Sequence, residues 1–101
     1  MAELDSIRKM PYSIEAEQAI LGAIIVDPQK YDEVSYLSAE EFYLEQHKQI
    51  FSAMTSMFLG SHDIDLVTLI APMTKMGTYT EGDAAKYIKL LADLAARASN
   101  V

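Results

Sequence analysis

The sequence of 101 residues contains no cysteine and no tryptophan, and only four glycines, at positions 22, 60, 77 and 82. Without cysteine there are no disulfides, thiolate metal sites or cysteine nucleophiles. No glycine-rich loop followed by Lys and Ser or Thr is present, which argues against a phosphate-binding loop. The longest apolar run, residues 19–26, is far shorter than the roughly 20 residues that cross a bilayer. The segment is therefore expected neither to span a membrane nor to hydrolyse nucleotides.

Basic residues are also few. Eight Lys and Arg stand against fifteen Asp and Glu, which gives a net charge of −7, and only Arg8 and Lys9 are adjacent. Binding to a phosphate backbone depends on clustered basic side chains, so direct contact with DNA or RNA is not expected of this segment. The N-terminus carries acids and lacks the apolar region of a secretory signal, and we expect a cytoplasmic protein.

The segment around which the chain is organised is residues 13–26, which predicts one helix from Ile14 to Val26. Ser13 is a favourable N-cap, and the Asp27-Pro28 pair predicts the end of the helix. Every residue from 19 to 26 is apolar or Gly, so no face of the last two turns favours water. This helix is therefore predicted to lie at the centre of the core.

Further helices follow along the chain. A short helix is predicted from Pro28 to about Ser38, followed by a helical region from 39 to 59 that a capping box at Ser38 and Glu41 opens. Asp65 is predicted to cap the next helix, which should kink or stop early at Pro72. Asp83 is predicted to cap a last helix from about Ala84 to Ala98. Periodicity alone allows one continuous helix over 39–59, with an inward stripe of Tyr43, His47, Ile50, Phe51, Met54, Met57 and Phe58. No strand pattern or internal repeat is present. The prediction is all-α: a flexible arm at residues 1–10, then a compact orthogonal bundle of about five to six short helices over 11–101.

Catalytic chemistry finds little support. His47 lies on an apolar helical stripe, where a packed histidine bonded to a neighbour is the usual finding. His62, Asp63 and Asp65 form the only cluster of histidine with carboxylates, which is a weak metal signal in a loop. The remaining acidic pairs fall in first turns of predicted helices, where the helix dipole favours them: Glu15 with Glu17, and Glu40 with Glu41.

Three strings resemble the N-terminal domain of bacterial replicative DNA helicases of the DnaB family. They are SIEAEQAILG at 13–22, EFY at 41–43 with His47 and Ile50-Phe51 beyond it, and IDLVTL at 64–69. The resemblance extends from residue 11 to the end of the sequence. In this family the N-terminal domain begins with a globular helical part, the head, and a helical hairpin and an ATPase domain follow it. It also favours a break in the 39–59 region after Phe42-Tyr43.

The resemblance implies a noncatalytic interaction module, with no catalytic residue, cofactor or metal in this segment; ATP and Mg would belong to the ATPase domain. The implied partners are the C-terminal domain of primase and further copies of the protein, as a hexamer at full length and a monomer or weak dimer for this segment. The resemblance points to Tyr87 as a residue of the primase-facing surface. The sequence adds Leu90 as a second candidate contact, because it is an apolar residue on an otherwise charged side of the last helix. Either residue also fits an ordinary structural role.

Two other functions remain open at this stage. One is a stand-alone helical adaptor or helicase-regulating protein that shares the head, which a downstream reading frame for a Walker-type ATPase would exclude. The other is a small metal-dependent enzyme using His62, Asp63 and Asp65, which a metal-independent melting temperature would exclude. Pro72 and Asp83 depart from the usual family pattern.

Overall fold

The computed structural model describes residues 13–75, 77 and 79–99, with the backbone alone at 66, 98 and 99. This part of the chain holds five α-helices and two short 3₁₀ turns, and none of it is strand. The helices are α1 (Ile14–Val26), α2 (Tyr31–Val34), α3 (Glu45–Leu59), α4 (Leu66–Lys75) and α5 (Glu81–Ser99), with 3₁₀ turns at Pro28–Lys30 and Ala39–Glu41. The all-helical prediction is confirmed. The predicted arm at 1–10 lies outside the described residues.

Helix α1 begins and ends where the sequence predicts. The Ser13 hydroxyl accepts a hydrogen bond from the backbone N–H of Ala16 at 3.0 Å, and the backbone leaves helical geometry at Asp27. Asp27 in turn caps the 3₁₀ turn that starts at Pro28, since its carboxylate accepts from the N–H of Gln29. Local capping chemistry is therefore sufficient to fix both ends of this helix.

Gly22 brings α1 and α5 into close contact. A Cβ built on Gly22 would clash with the carbonyl oxygen of Leu91, a backbone atom that has no freedom to move aside. Any larger residue would therefore force the two helices apart. Leu21 and Ile24 of α1 and Leu91 of α5 are fully buried in the core.

The prediction that the second half of α1 is buried on every side is wrong. Ala19 and Val26 are exposed, and they line one wall of a groove of about 430 Å³ between α1 and α5. Leu94 and Ala95 of α5 line the other wall. A uniformly apolar sequence shows no preferred face, so the pattern alone has no means of marking which side would lack a neighbour.

The segment between α1 and α3 is shorter in helix than predicted. Helix α2 ends at Val34, rather than near Ser38. The capping box at Ser38 is present, and the Glu41 carboxylate accepts from the N–H of Ser38 at 2.7 Å. It opens only a 3₁₀ turn, however, because the chain is extended at Phe42.

The single helix over 39–59 is therefore wrong, and the break favoured by the family resemblance is confirmed. Helix α3 begins at Glu45, after three non-helical residues. Phe42 is buried, whereas Tyr43 is 55% exposed and does not belong to the inward stripe. Within α3 the predicted stripe holds for Ile50, Phe51, Met54 and Met57, and Phe58 lies at its exposed edge.

Helix α4 follows its predicted cap. The Asp65 carboxylate accepts from the N–H of Thr68 at 2.9 Å, and the Thr68 hydroxyl accepts from the N–H of Asp65. The early stop considered at Pro72 does not occur, because the helix continues to Lys75. Leu69 and Met73, on either side of the proline, are fully buried, so core packing holds the helix despite the lost hydrogen bond.

Helix α5 begins three residues earlier than predicted. The Thr80 hydroxyl accepts from the N–H of Asp83 at 3.2 Å, which makes Thr80 the cap and places Asp83 inside the first turn. The prediction that Asp83 is the N-cap is therefore wrong. Ala84, Ile88 and Leu91 form the core face of α5 and are fully buried.

Candidate functional site

The most distinctive feature of the structure is a polar cluster inside the helical core. Glu17 of α1, His47 of α3 and Tyr87 of α5 form a hydrogen-bonded chain that joins three helices. His47 Nδ1 lies 2.8 Å from Glu17 Oε1, and His47 Nε2 lies 2.6 Å from the Tyr87 hydroxyl. We call these three residues the polar clamp. His47 is 0% exposed, which agrees with the prediction of a packed histidine bonded to a neighbour.

Glu17 also caps the N-terminus of α3. Leu44, at the start of that helix, has no capping side chain of its own. Glu17 Oε2 accepts instead from the N–H of Tyr43 at 2.6 Å, and Oε1 lies 3.5 Å from the N–H of Leu44. The carboxylate thus reaches from α1 to satisfy backbone donors just before α3, where the chain breaks its helix.

The hydrogen-bond inventory assigns the proton positions in the clamp. An ionised carboxylate only accepts, so His47 Nδ1 carries the hydrogen that Glu17 receives. Tyr87 also accepts from the side-chain amide of Gln18 at 3.3 Å. With a neutral imidazole the Tyr87 hydroxyl donates to Nε2, and every donor of the cluster then has an acceptor. No buried side-chain nitrogen or oxygen in the described residues is left without a partner.

The clamp is suited to holding helices together rather than to catalysis. His47 has no exposed surface, so no substrate can reach its nitrogens. Its neighbours Glu17 and Tyr87 each place a polar atom within hydrogen-bond distance of the histidine ring. A buried network with all its hydrogen bonds made specifies one arrangement of the elements that carry it.

Glu17 was predicted only as an acid favoured by the helix dipole, and its role in the core was missed although the sequence carries a signal for it. Glu17 shares a face of α1 with Leu21 and Ile24, at spacings of four and seven residues, and both leucine and isoleucine are buried. An acid on the core face of a helix needs a partner, because burying a carboxylate without one is costly. Nothing in the sequence indicated that the partner of Glu17 is His47, because the two residues are 30 positions apart.

The two residues predicted for a partner surface lie one turn apart on α5. Tyr87 is half-buried and its hydroxyl is engaged in the clamp, whereas Leu90 is 45% exposed. The ring of Tyr79, which precedes α5, lies parallel to that of Tyr87 with centroids 5.8 Å apart. Partial burial, and then the neighbouring Tyr87 and Asp83, raise the pKa of Tyr79 above its ordinary value.

The loop cluster of His62, Asp63 and Asp65 does not form a metal site. Asp65 caps α4, and all three residues are exposed. Within the described part of the chain, no three histidine or carboxylate side chains are placed to hold a metal ion. The described residues therefore do not support the hypothesis of a small enzyme with a metal ion bound by His62, Asp63 and Asp65.

Comparison with known proteins decides the family. The family model for the DnaB-like helicase N terminal domain matches residues 9–101. The chain belongs to this family. The match is to the N-terminal domain, so the DnaB resemblance and the prediction that this segment is not the enzymatic part of a helicase are both confirmed.

Relatives of this DnaB-type domain are replicative DNA helicases. The chain is 40% identical over 102 residues to the replicative DNA helicase DnaB of Geobacillus stearothermophilus, covering 100% of this chain and 22% of that protein. It is 34% identical over 92 residues to the Haemophilus influenzae protein of the same name, covering 90% and 20% respectively. The chain therefore spans about a fifth of the length of these relatives.

Among the described helices of this DnaB-type domain, none is long and apolar enough to cross a membrane.

Proposed function

We propose that this domain is the noncatalytic interaction head of a hexameric replicative DNA helicase, which supports assembly of the ring collar and docks the C-terminal domain of primase. The observation that carries the proposal is the family match over residues 9–101. ATP and Mg act elsewhere, in the ATPase domain of the full-length protein, and the segment itself uses no cofactor. The protein works in the cytoplasm.

The charge of the domain supports a protein partner rather than a nucleic acid. The net charge is −7, and the basic residues are dispersed along the sequence. A phosphate backbone would meet mostly repulsion from such a surface. A protein partner, in contrast, is recognised mainly by buried apolar and aromatic side chains.

Leu90 supports docking on the outer side of α5. It is 45% exposed on a helix face that otherwise carries charged residues, including Lys86 and Lys89. Tyr87 lies one turn before it. An aliphatic side chain next to an aromatic one provides the small apolar centre typical of a protein interface with a polar rim.

Calorimetric titration of the chain with the C-terminal domain of its cognate primase tests this function. We expect 1:1 binding with a micromolar Kd and weak dependence on salt, because the contact is mainly apolar. Leu90→Ala should weaken binding about tenfold, which corresponds to ~1.4 kcal/mol. The matched control is Leu59→Ala, which removes a leucine 77% exposed at the end of α3 and should leave binding unchanged.

The outcome that contradicts primase docking is equally specific. It is an absence of binding by the folded chain and by the full-length helicase alike. Ring assembly is tested separately by sedimentation of both proteins. We expect a hexamer for the full-length helicase and a monomer or weak dimer for the isolated domain, and a full-length protein that stays monomeric would contradict it.

A further inference from the structure

The two oxygens of the Glu17 carboxylate serve two different parts of the fold. Oε2 accepts from the N–H of Tyr43 at 2.6 Å. Oε1 lies 2.8 Å from His47 Nδ1 and 3.5 Å from the N–H of Leu44. Oε1 is therefore shared between the histidine ring and the backbone at the start of α3. The position of the ring and the capping of the helix consequently depend on the same carboxylate.

The other side of the His47 ring is held from α5. Nε2 lies 2.6 Å from the Tyr87 hydroxyl, and that hydroxyl also accepts from the side-chain amide of Gln18 at 3.3 Å. Hydrogen bonds in a buried chain polarise one another, so the loss of one weakens the next. The ring is 0% exposed, so a lost partner is not simply replaced by bulk water, and an unpaired buried nitrogen is costly.

We infer that the polar clamp is a latch that couples the Tyr87 side chain to the start of α3. Withdrawal of the Tyr87 hydroxyl from His47 loosens the hold of the ring on Glu17, and the carboxylate then caps Tyr43 and Leu44 less firmly. Tyr87 is a positioning residue in this arrangement, because it acts on the start of α3 through the histidine and the carboxylate. The coupling is a property of the isolated domain and requires no partner.

The latch connects two places near the surface of the domain. Tyr87 is half-buried and lies one turn before the exposed Leu90, whereas Tyr43 is 55% exposed at the other end of the hydrogen-bonded chain. Local stability differs between segments of a folded protein, and a segment that depends on a few hydrogen bonds opens first when one of them is lost. A group that displaces the Tyr87 ring therefore changes the order of residues 42–44 without touching them.

Amide hydrogen exchange of the chain, measured by NMR without any partner, tests the latch. Tyr87→Phe keeps the ring and removes the hydroxyl, so the amides of Tyr43 and Leu44 should exchange about tenfold faster. The reference in each spectrum is the amide of Leu69 in α4, which bonds to the carbonyl of Asp65 outside the clamp. Rates expressed relative to this amide separate a local effect from a general loss of stability.

The matched control is Tyr31→Phe, which also removes the hydroxyl of a buried tyrosine. That hydroxyl donates to Thr55 Oγ1 at 2.9 Å and joins α2 to α3 outside the clamp. In this variant the relative exchange rates of Tyr43 and Leu44 should stay within about twofold of the wild type.

A double-mutant cycle checks that the effect passes through the carboxylate. Glu17→Gln alone should accelerate exchange at Tyr43, because a neutral amide caps more weakly than a carboxylate. Adding Tyr87→Phe should then change the rate by less than about twofold, since the latch is already released.

The inference is overturned if Tyr87→Phe leaves the relative exchange rate of Tyr43 unchanged. It is overturned equally if Tyr87→Phe has the same effect in the Glu17→Gln background as in the wild type, because the coupling would then bypass the carboxylate. Failure of primase binding is a separate result, because it removes the proposed function and leaves these exchange rates as they are.

Discussion

The two histidines of this domain occupy opposite environments. His47 is 0% exposed and is bound on both ring nitrogens by Glu17 and Tyr87, which belong to other helices. His62 is exposed in a loop, next to Asp63 and close to Asp65 in sequence. Judged by sequence proximity, His62 has the better set of carboxylate neighbours. Only His47 is built into a network, so closeness along the chain was a poor guide to which histidine matters.

The comparison teaches that burial, rather than local composition, determines what a polar cluster does. In the loop, carboxylates have water as a partner, and one of them simply caps α4. In the core, Glu17 has no such alternative and must bind donors of the protein. The Glu17 carboxylate accepts from three donors, the backbone N–H groups of Tyr43 and Leu44 and the ring of His47. These bonds stabilise the start of α3.

The largest predicted effect is that of Glu17→Ala. It leaves the buried His47 Nδ1–H and the Tyr43 N–H without acceptors, so we expect the free energy of unfolding to fall by about 3–5 kcal/mol. The control, Asp63→Ala, removes a carboxylate of the exposed loop and should change it by less than about 0.5 kcal/mol. Urea unfolding followed by circular dichroism measures both variants. Equal effects would remove the distinction between clamp and loop.

A smaller effect is expected for Asp65→Ala in the loop. The carboxylate accepts from the N–H of Thr68 at 2.9 Å, and loss of such a cap costs about 1 kcal/mol. Because the role is capping, the melting temperature of the wild type should be the same with a chelator and with added zinc. A stabilisation by zinc that depends on His62 would contradict this and revive the metal site.

The smallest effect concerns Tyr79, which lies outside the clamp with its ring against that of Tyr87. Its pKa is raised in the folded state, mainly by partial burial, so folding favours the protonated phenol. The resulting stability is fully present below the ordinary tyrosine pKa of about 10 and is lost as the pH rises through the higher folded value. Thermal unfolding between pH 8 and pH 11 should therefore show the wild type losing stability relative to Tyr79→Phe. Parallel pH profiles for the two proteins would contradict this assignment.

Much of the fold could be predicted from local signals. The ends of α1 follow from Ser13 and Asp27, the start of α4 follows from Asp65, and the core face of α3 follows from its spacing. Each of these depends on groups a few residues apart, which a sequence presents directly. The family strings supplied the break before α3.

One failure was local, because the Thr80 hydroxyl and not Asp83 caps α5. Two others depend on groups far apart in the sequence. The start of α3 is stabilised by Glu17, so periodicity over 39–59 had no sign of it. The exposed side of α1 is the side that lines the groove between α1 and α5. At the candidate site, Tyr87 and Leu90 came from resemblance and pattern, whereas the pairing of Tyr87 with His47 and Tyr79 required the fold.

The most direct test of the polar clamp is a long-range proton–nitrogen correlation spectrum of the two imidazole rings at neutral pH. The account predicts that His47 carries a proton on Nδ1 in slow exchange with water, because Glu17 Oε1 lies 2.8 Å from that nitrogen and accepts the proton. His62 should show rapid exchange, as an exposed histidine does. A His47 ring with its proton on Nε2 alone, or one exchanging as fast as His62, would contradict the clamp.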